Sequence, residues 1–328
     1  MIISKTPFRM SFCGGGTDIA EFYERAGYGA VVSTTIDKFA YIALHRFFEN
    51  KFVLKYSQTE ISDDVASIKH PLIRECLLQT ATTEPLEITS FADIPSSGSG
   101  LGSSSAFSVG LINALLAQKG RMPTHEMCAQ GACEVEIERL REPIGKQDQY
   151  AAAFGGLNYL RFNADGSVQV DPIIMPKDKY QVLAEHLVMF YTGITRKAST
   201  ILTEQKQNMR NDGNRYASML HMRDQANRLR DELSAGNLDA LGGLLHDGWM
   251  LKREMASGVT GPQLDEIYAR ALSAGAKGGK LLGAGGGGFL LFYCEPSLKQ
   301  SLISALGDLR HIEFQLERQG TRIIYVDY

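Results

Sequence analysis

The sequence predicts an α+β protein built in two parts. Stretches rich in β-formers cluster in the first half of the 328-residue chain, and helical patterns dominate the second half. A chain of this length can form two domains or one large one. The pattern changes between Pro172 and Lys179, which divides the chain into residues 1–175 and residues 176–328.

In the first half, apolar runs bounded by turn residues predict a strand leading into Cys13 and several later strands. These later strands cover residues 30–36, 39–47, 51–57 and 85–95, and a hairpin about the turn "ADGS" covers 155–175. Helical spacing predicts helices at 71–81, from about Ser103, and at 124–140 with Thr124 as the N-cap.

In the second half, the strand "HLVMFYTG" precedes a long, mostly helical region rich in Glu, Lys, Arg, Leu and Met. The predicted elements that follow are helices at 238–256, 262–274 and from about Pro296, and strands at 289–294 and 321–328. In this interpretation the glycine run 283–288 follows a helix and precedes a strand.

Composition excludes several classes of protein. Hydrophobic residues make up 44% and charged residues 22% of the chain, as in ordinary globular proteins. A net charge of -3 and a pI near 6.2 give no reason to expect a nucleic-acid or membrane partner. No signal peptide or apolar span is present, and five scattered cysteines and seven dispersed histidines form no disulfide or zinc pattern. We therefore expect a cytoplasmic protein without a transition metal.

The stretch "PSSGSGLGSSS", residues 95–105, lies between a predicted strand and a predicted helix. Glycines let a backbone approach a phosphate, and the first turn of a helix offers amide donors and a positive dipole end. The serines near the helix start could ligate a phosphate-bound Mg²⁺. A flexible loop before a serine-capped helix explains the same residues equally well.

Two familiar nucleotide loops do not fit. A Walker A loop needs Lys after its last glycine, and none follows Gly102. The run "GAGGGG", Gly283 to Gly288, matches GxGxxG literally, but its predicted order differs from the strand, glycines and helix of dinucleotide-binding folds. This disfavours a nucleotide-binding oxidoreductase, and close packing of a tight turn is the other interpretation of the run.

Two further stretches carry acidic residues. Glu134, Glu136 and Glu138 lie at i, i+2 and i+4 of a predicted helix, so at most one or two of them can point at a site. Asp148 follows a turn and precedes the apolar "AAAFGG", and is either a functional carboxylate or a turn residue. Near the N-terminus, "RMSFCGGGTD" joins a strand to three glycines and Asp18, which a tight turn with an Asx cap also explains.

Taken together and in this order, these motifs resemble the GHMP family of small-molecule kinases. "TPFRMSFCGGGTD" resembles the first family motif, "PSSGSGLGSSSA" the second and "KLLGAGGGGF" the third, and the resemblance covers nearly the whole chain. It implies a two-domain fold, with an N-terminal domain like domain 2 of ribosomal protein S5 and a ferredoxin-like C-terminal domain.

Within the family, "EPIGKQDQYAAAFGGLN" and "YTGITRKAS" look most like kinases of D-glycero-D-manno-heptose 7-phosphate. Those enzymes use ATP to phosphorylate the anomeric hydroxyl, giving the 1,7-bisphosphate. An L-fucose or other hexose 1-kinase of the family is the nearer alternative, and an inactive nucleotide or sugar sensor is an alternative of another class. The sugar's stereochemistry and the oligomeric state are not predicted.

The resemblance also implies roles for single residues. Asp148 would accept or orient the proton of the sugar hydroxyl, and Arg9 would be the cation near the reacting centre. Mg²⁺ would be held by Ser104 and Glu136, or by Glu138 in another alignment. The residues expected to bind ATP are Pro95, Ser97, Gly98, Ser99, Gly100, Leu101, Gly102, Ser103, Ser104 and Ser105.

The sugar phosphate would be bound by the first and third motifs. Asp18 would accept hydrogen bonds from a vicinal diol. Arg196 is the candidate ligand for a substrate phosphate, assisted by Lys197 or Ser199, with Lys252 and Lys280 as weaker candidates. A solvated basic helix turn explains Arg196 equally well. The remaining residues expected at the substrate are Gly15, Gly16, Thr17, Gly285, Gly286 and Gly287.

Overall fold

The computed structural model describes residues 1–95, 98–194 and 198–327. The described chain forms two β-sheets with helices packed against them, so the predicted α+β class is confirmed. The α-helices are α1 (Ala20–Ala26), α2 (Pro71–Gln79), α3 (Ser103–Gln118), α4 (His125–Cys133), α5 (Gln147–Phe154), α6 (Lys177–His186), α7 (Ala198–Asn211), α8 (Gly213–Ser234), α9 (Ala240–Arg253), α10 (Pro262–Ser273) and α11 (Lys299–Ala305).

The first sheet has nine strands and contains most of the N-terminal part. Its strands are β1 (Ile2–Cys13), β2 (Tyr28–Arg46), β3 (Phe52–Lys55), β4 (Thr59–Ser62), β5 (Leu86–Ala92), β6 (Asn158–Asn163), β7 (Val168–Pro172), β12 (Leu316–Glu317) and β13 (Arg322–Val326). The main path runs β13-β1-β2-β5-β3-β4; β6 and β12 pair with β2, and β7 pairs with β6. Only the pairing of β3 with β5 is parallel among the described strand pairs.

The second sheet is antiparallel, in the order β11-β8-β10-β9. Its strands are β8 (Leu187–Tyr191), β9 (Ala276–Leu281), β10 (Phe289–Cys294) and β11 (Arg310–Ile312). The chain then returns to the first sheet, because β13 pairs with β1 and β12 with β2. The predicted division at residue 175 thus leaves these two strands in the second part, although they complete the first sheet.

Several predicted elements differ from the structure. The strands predicted at 30–36 and 39–47 are one strand, β2, because a register shift between Pro7 and Phe8 of β1 accommodates Asp37 and Lys38. The helix predicted at 124–140 becomes α4 followed by a π-helical turn, Glu134–Arg139. Its N-cap is Thr124 as predicted, since Thr124 Oγ1 accepts the Met127 N–H at 3.2 Å.

One difference changes the interpretation of the third glycine run. The glycines were expected to follow a helix, but β9 (Ala276–Leu281) precedes them and pairs with β10. The run is therefore the turn of a β-hairpin. The sequence "AKGGKL" has little β propensity, and its strand is recognisable only from its burial between α9, α10 and β10.

Helix α3 is apolar all round and lies against β1 and β2 in the main core. This packing fixes the start of α3 beside the middle of β1, where Arg9 lies. In the described ranges, no helix has the length together with the apolar character that a membrane crossing requires.

Candidate active site

The glycine loop after β5 is shaped for close approach by a ligand. Gly98, Gly100 and Gly102 have φ values of 66°, 73° and 71°, in the left-handed region that favours glycine. Gly102 is the N-cap of α3, and the described residues provide no side-chain cap at this helix end. Within the loop, Ser99 Oγ accepts a hydrogen bond from the Leu101 N–H at 3.3 Å, which stabilises the loop conformation. Pro95 is exposed at the loop entrance, and Ser97 lies outside the described residues.

A cavity of about 590 Å³ joins this loop to the other predicted groups. The residues that line it come from β1, the glycine loop, α3, the π-helical turn, α5, α7 and the third glycine run. They are Arg9, Gly98, Ser99, Gly100, Gly102, Ser103, Ser104, Ser105, Glu136, Glu142, Ile144, Asp148, Ala198, Ser199, Leu202, Gly283 and Ala284.

Arg9 and Asp148 form an ion pair in this cavity. Arg9 Nε and Nη2 donate to the two carboxylate oxygens of Asp148 at 2.7 and 2.8 Å, and Nη1 donates to the Gly100 carbonyl at 2.6 Å. The side chain of Arg9 is 4% exposed and that of Asp148 is 24% exposed. The pair therefore links the loop to a carboxylate that a ligand can reach. Asp148 lies in the first turn of α5, and not in the loop expected from its flanking residues.

Of the three acidic residues near 136, only Glu136 faces the glycine loop. It is 1% exposed, and its carboxylate accepts hydrogen bonds from Ser104 Oγ at 3.0 Å, from Ser105 Oγ at 2.7 Å and from Gln149 Nε2. Glu134 pairs with Arg139 at 2.7 Å, and Glu138 is exposed. Burial raises the pKa of Glu136 to about 7, although its three hydrogen bonds oppose the shift.

The oxygens of Glu136 and Ser104 suit Mg²⁺. Mg²⁺ in nucleotide enzymes is held by one or two protein oxygens together with phosphates and water. A buried carboxylate whose pKa is raised by desolvation gains from a nearby divalent cation, which favours its ionised form. Among the described residues, no group of three or more His, Cys, Asp and Glu gathers where it could hold a metal ion.

The first glycine motif lies beside the cavity, where Thr17 and Asp18 have partners within the protein. Thr17 Oγ1 donates to the carbonyls of Gly14 and Ala30 at 2.8 and 2.9 Å. Asp18 is 2% exposed and accepts the Gly16 N–H at 3.0 Å, the Gln147 N–H at 3.1 Å and Gln147 Nε2 at 3.4 Å. Burial raises the pKa of Asp18. The expected role of Asp18 in binding sugar hydroxyls stays a prediction.

The third glycine run contacts the glycine loop directly. An added Cβ on Gly283 would lie 2.4 Å from Gly100 Cα, and one on Gly288 would lie 2.5 Å from the Ser99 carbonyl oxygen. Gly286 N–H donates to the Val259 carbonyl at 2.9 Å. Gly285 and Gly287 pack against Val259 and Ile194. Gly283 and Ala284 of this run line the cavity, whereas Gly285, Gly286 and Gly287 do not.

The structure adds groups that the sequence left undefined. Lys252 and Lys280, considered only for a phosphate pocket, are each 6% exposed close to Arg9. A second cavity of about 510 Å³ shares Ser103 and Ser104 with the first and is lined by aromatic residues. These are Phe8, Tyr56, His70, Phe91 and Phe107. Apart from Phe8, which belongs to the first motif, they come from separate segments without a motif, so no sequence signal identifies them. Arg196 and Lys197 lie outside the described residues.

The chain matches the models of two domains that belong to one family. Residues 66–156 match the GHMP kinases N terminal domain, and residues 229–309 match the GHMP kinases C terminal domain. Over 319 residues it is 32% identical to the D-glycero-alpha-D-manno-heptose 7-phosphate kinase of Campylobacter jejuni, covering 93% of both chains. The chain belongs to the GHMP kinase family. It is therefore an ATP-dependent enzyme that phosphorylates an alcohol.

Other relatives agree with this GHMP kinase assignment. A mevalonate kinase of Methanothermobacter thermautotrophicus is 30% identical over 236 residues, which cover 71% of this chain and 72% of that protein. The crystal structure of a putative sugar kinase from Campylobacter jejuni has a TM-score of 0.77 at 27% identity, covering 98% of this chain and 97% of that one. A D-glycero-D-manno-heptose 1-phosphate kinase structure from Bacteroides thetaiotaomicron has a TM-score of 0.82 at 23% identity and covers all of both chains, which shows the shared fold.

Proposed function

We propose that this GHMP kinase transfers the γ-phosphoryl group of ATP to the anomeric hydroxyl of D-glycero-D-manno-heptose 7-phosphate. The observation that carries the proposal is the single cavity in which the glycine loop, Glu136 and the Arg9–Asp148 pair meet. The substrate is suggested by the Campylobacter jejuni heptose 7-phosphate kinase, to which this chain is similar over nearly its whole length.

The glycine loop and the start of α3 would bind the triphosphate. Because the three glycines with positive φ have no side chains, a triphosphate could approach the backbone of the loop closely. The backbone amides of the first turn of α3 and the positive end of its dipole would then face this anion. Ser104 and Glu136 would hold Mg²⁺, which when bound neutralises phosphate charge. The aromatic cavity that shares Ser103 and Ser104 would receive the adenine.

Asp148 would act on the acceptor hydroxyl. Its carboxylate is the accessible half of the ion pair and can accept the hydroxyl proton or aim the oxygen for in-line attack. Arg9 fixes the orientation of this carboxylate through two parallel hydrogen bonds. Its third hydrogen bond goes to the Gly100 carbonyl of the glycine loop, so the cation would lie between the triphosphate and the acceptor.

The substrate's own phosphate needs a separate cationic group. Arg196 remains our candidate, and Ser199, which lines the cavity at the start of α7, would assist it. The alternative acceptor is an unphosphorylated sugar such as L-fucose. It is supported by a bifunctional fucokinase/GDP-fucose pyrophosphorylase of Arabidopsis thaliana, 25% identical over 89% of this chain and 30% of that protein.

An acceptor screen tests the proposal. ADP release is measured with free and phosphorylated heptoses and hexoses and with mevalonate, and the new phosphate is located on the product. We expect turnover with the heptose 7-phosphate and phosphorylation at the anomeric oxygen. Asp148→Asn should lower kcat by roughly 10²–10⁴-fold, because the amide cannot accept the proton. Preference for free fucose would favour the alternative, and preference for mevalonate would contradict a sugar acceptor.

A further inference from the structure

One backbone carbonyl in the wall of the cavity is held from behind by a buried cation. Lys252 on α9 is 6% exposed, and its Nζ donates to the carbonyl oxygen of Gly283. Gly283 and Ala284 line the cavity, whereas Lys252 does not. The peptide that joins Gly283 to Ala284 therefore separates the ammonium group from the cavity.

The orientation of this peptide decides which of its polar groups faces the cavity. Peptide bonds in the described residues are trans, so the Gly283 carbonyl and the Ala284 N–H point in opposite directions. Because the carbonyl oxygen points at Lys252, the N–H points away from the ammonium group, to the side of the cavity. In the described part of the chain, this N–H has no hydrogen-bond acceptor.

Arg9 holds the neighbouring glycine loop in the same way. Its Nη1 donates to the Gly100 carbonyl at 2.6 Å, and an added Cβ on Gly283 would lie 2.4 Å from Gly100 Cα. The two glycine segments thus touch at the cavity, and each has a carbonyl oxygen bound to a buried cation. A free carbonyl oxygen carries partial negative charge that repels a phosphate, whereas a free N–H attracts it. The two cations therefore remove two such acceptors from a site that would bind an anion.

The third glycine run needs contacts of this kind to keep one conformation. Glycines occupy five of the six positions 283–288, and glycine loses more conformational freedom on folding than any other residue. The N–H groups of Gly286 and Gly288 donate to backbone carbonyls outside the run at 2.9 and 2.8 Å, which fixes the end that lies away from the cavity. Among the described side chains, Lys252 is the one that hydrogen-bonds to the end at the cavity.

We propose that Lys252 is a positioning residue for phosphoryl transfer, which fixes the Gly283–Ala284 peptide so that the Ala284 N–H donates to an oxygen of the transferring group. This inference rests on the proposed function in that the phosphoryl group is transferred in this cavity. A backbone donor that is already oriented stabilises charge on the phosphoryl oxygens without being ordered during the reaction. The positive charge of Lys252 also polarises the peptide, which strengthens the N–H as a donor.

Lys252→Met tests the inference, because methionine has a flexible apolar side chain without the donor or the charge. We expect kcat to fall roughly 10–100-fold, since the donor to the reacting oxygens is no longer held in place. The KM values of ATP and of the acceptor should change much less, because the interaction is made mainly in the transition state.

Two further variants separate this role from packing alone. Lys252→Arg keeps a charged donor and should recover most of kcat. Lys252→Gln keeps an N–H donor without the charge, so its kcat should lie between those of the methionine and arginine variants. Urea unfolding shows which variants are folded, and the glutamine and arginine variants decide the question if the methionine variant is not.

Lys119→Met is the matched control. Lys119 also donates to backbone carbonyls, those of Thr80 and Ala81, and none of these three residues lines either cavity. This control should retain the kcat of the wild type. All kinetics are measured with whichever alcohol the wild type phosphorylates best.

Two results would overturn the inference. One is a folded Lys252→Met variant with the kcat of the wild type, and the other is an arginine variant no more active than the glutamine variant. A fully active Asp148→Asn variant would instead contradict the proposed function, so the two failures are distinguishable.

Discussion

Lys280 and Lys252 are two buried cations behind the Arg9–Asp148 pair. Lys280 Nζ donates to the Phe12 carbonyl at 2.9 Å, and Lys252 Nζ donates to the Gly283 carbonyl. Burial, with Lys252 and Arg9 as nearby positive charges, lowers the pKa of Lys280 to about 7. Burial and Arg9 lower the pKa of Lys252 to about 8, against the opposing effect of Asp18 and Asp148. Each lysine ties a C-terminal element to a glycine motif at a cost in desolvation.

The pH dependence of the free energy of unfolding should reveal the titration of Lys280. Above pH 7 the folded state releases the Lys280 proton, whereas the unfolded chain keeps it up to about 10.5. The unfolded state then binds more protons, so folding stability rises with pH by about 1 kcal/mol per unit in this window. The free energy of unfolding of the wild type minus that of Lys280→Met should therefore rise by about 2 kcal/mol from pH 7 to pH 9. Urea unfolding at each pH measures it.

Cys13, which contacts this region, does not titrate in the same window, because burial raises its pKa to about 12. A difference between wild type and Lys280→Met that stays constant with pH would show that Lys280 has the same pKa in both states.

Sequence motifs place some residues of the site better than others. Arg9, Ser104, Glu136 and Asp148, all taken from the motifs, line one cavity. Asp18 belongs to an equally recognisable motif, yet its carboxylate is hydrogen-bonded within the protein. A motif indicates that a residue matters, whereas burial and hydrogen-bond partners decide what its side chain contacts.

The N-terminus of helix α5 is capped by a residue that is far away in the sequence. Its N-cap residue, Lys146, provides no side-chain cap, and Asp18 Oδ2 accepts the Gln147 N–H instead. The two residues are 129 positions apart. The local sequence, with a proline and a glycine just before α5, indicates a turn, which is why Asp148 was expected in a loop. A helix that is capped through tertiary structure leaves no local signal.

Removing this distant cap should affect catalysis as well as stability. Asp18→Ala deprives the partly buried N–H groups of Gly16 and Gln147 of their acceptor, so we expect a loss of about 1–2 kcal/mol in the free energy of unfolding. The kcat should fall because the first turn of α5 carries Asp148, and the ATP KM should change little. Urea unfolding and steady-state kinetics measure these effects.

Asp212→Ala is the matched control, because Asp212 caps α8 by accepting the Asn214 N–H at 2.9 Å and lines neither cavity. It should lose stability without losing kcat. An equal kcat in both variants would contradict a positioning role for Asp18.

At the scale of the molecule, the two sheets meet through glycines. The glycine loop follows β5 of the first sheet, and the third glycine run joins β9 to β10 of the second. Sequence order alone predicted the two parts but not this contact. It also missed β9 and the return of β12 and β13 to the first sheet, because both depend on pairing with distant strands rather than on local propensity.

The contact between Gly283 and Gly100 should couple stability to nucleotide binding. An added Cβ on Gly283 would lie 2.4 Å from Gly100 Cα, so Gly283→Ala must push the glycine loop away from the second sheet. Gly120→Ala is the matched control, because Gly120 has a similar φ of 70° but open space around its Cβ position. In both variants an alanine must adopt the left-handed conformation, which costs about 1–2 kcal/mol of stability. Gly283→Ala should lose about 1–3 kcal/mol more in urea unfolding and should bind ATP more weakly in titrations. Equal stability losses with unchanged ATP affinity would show that the two glycine motifs move independently.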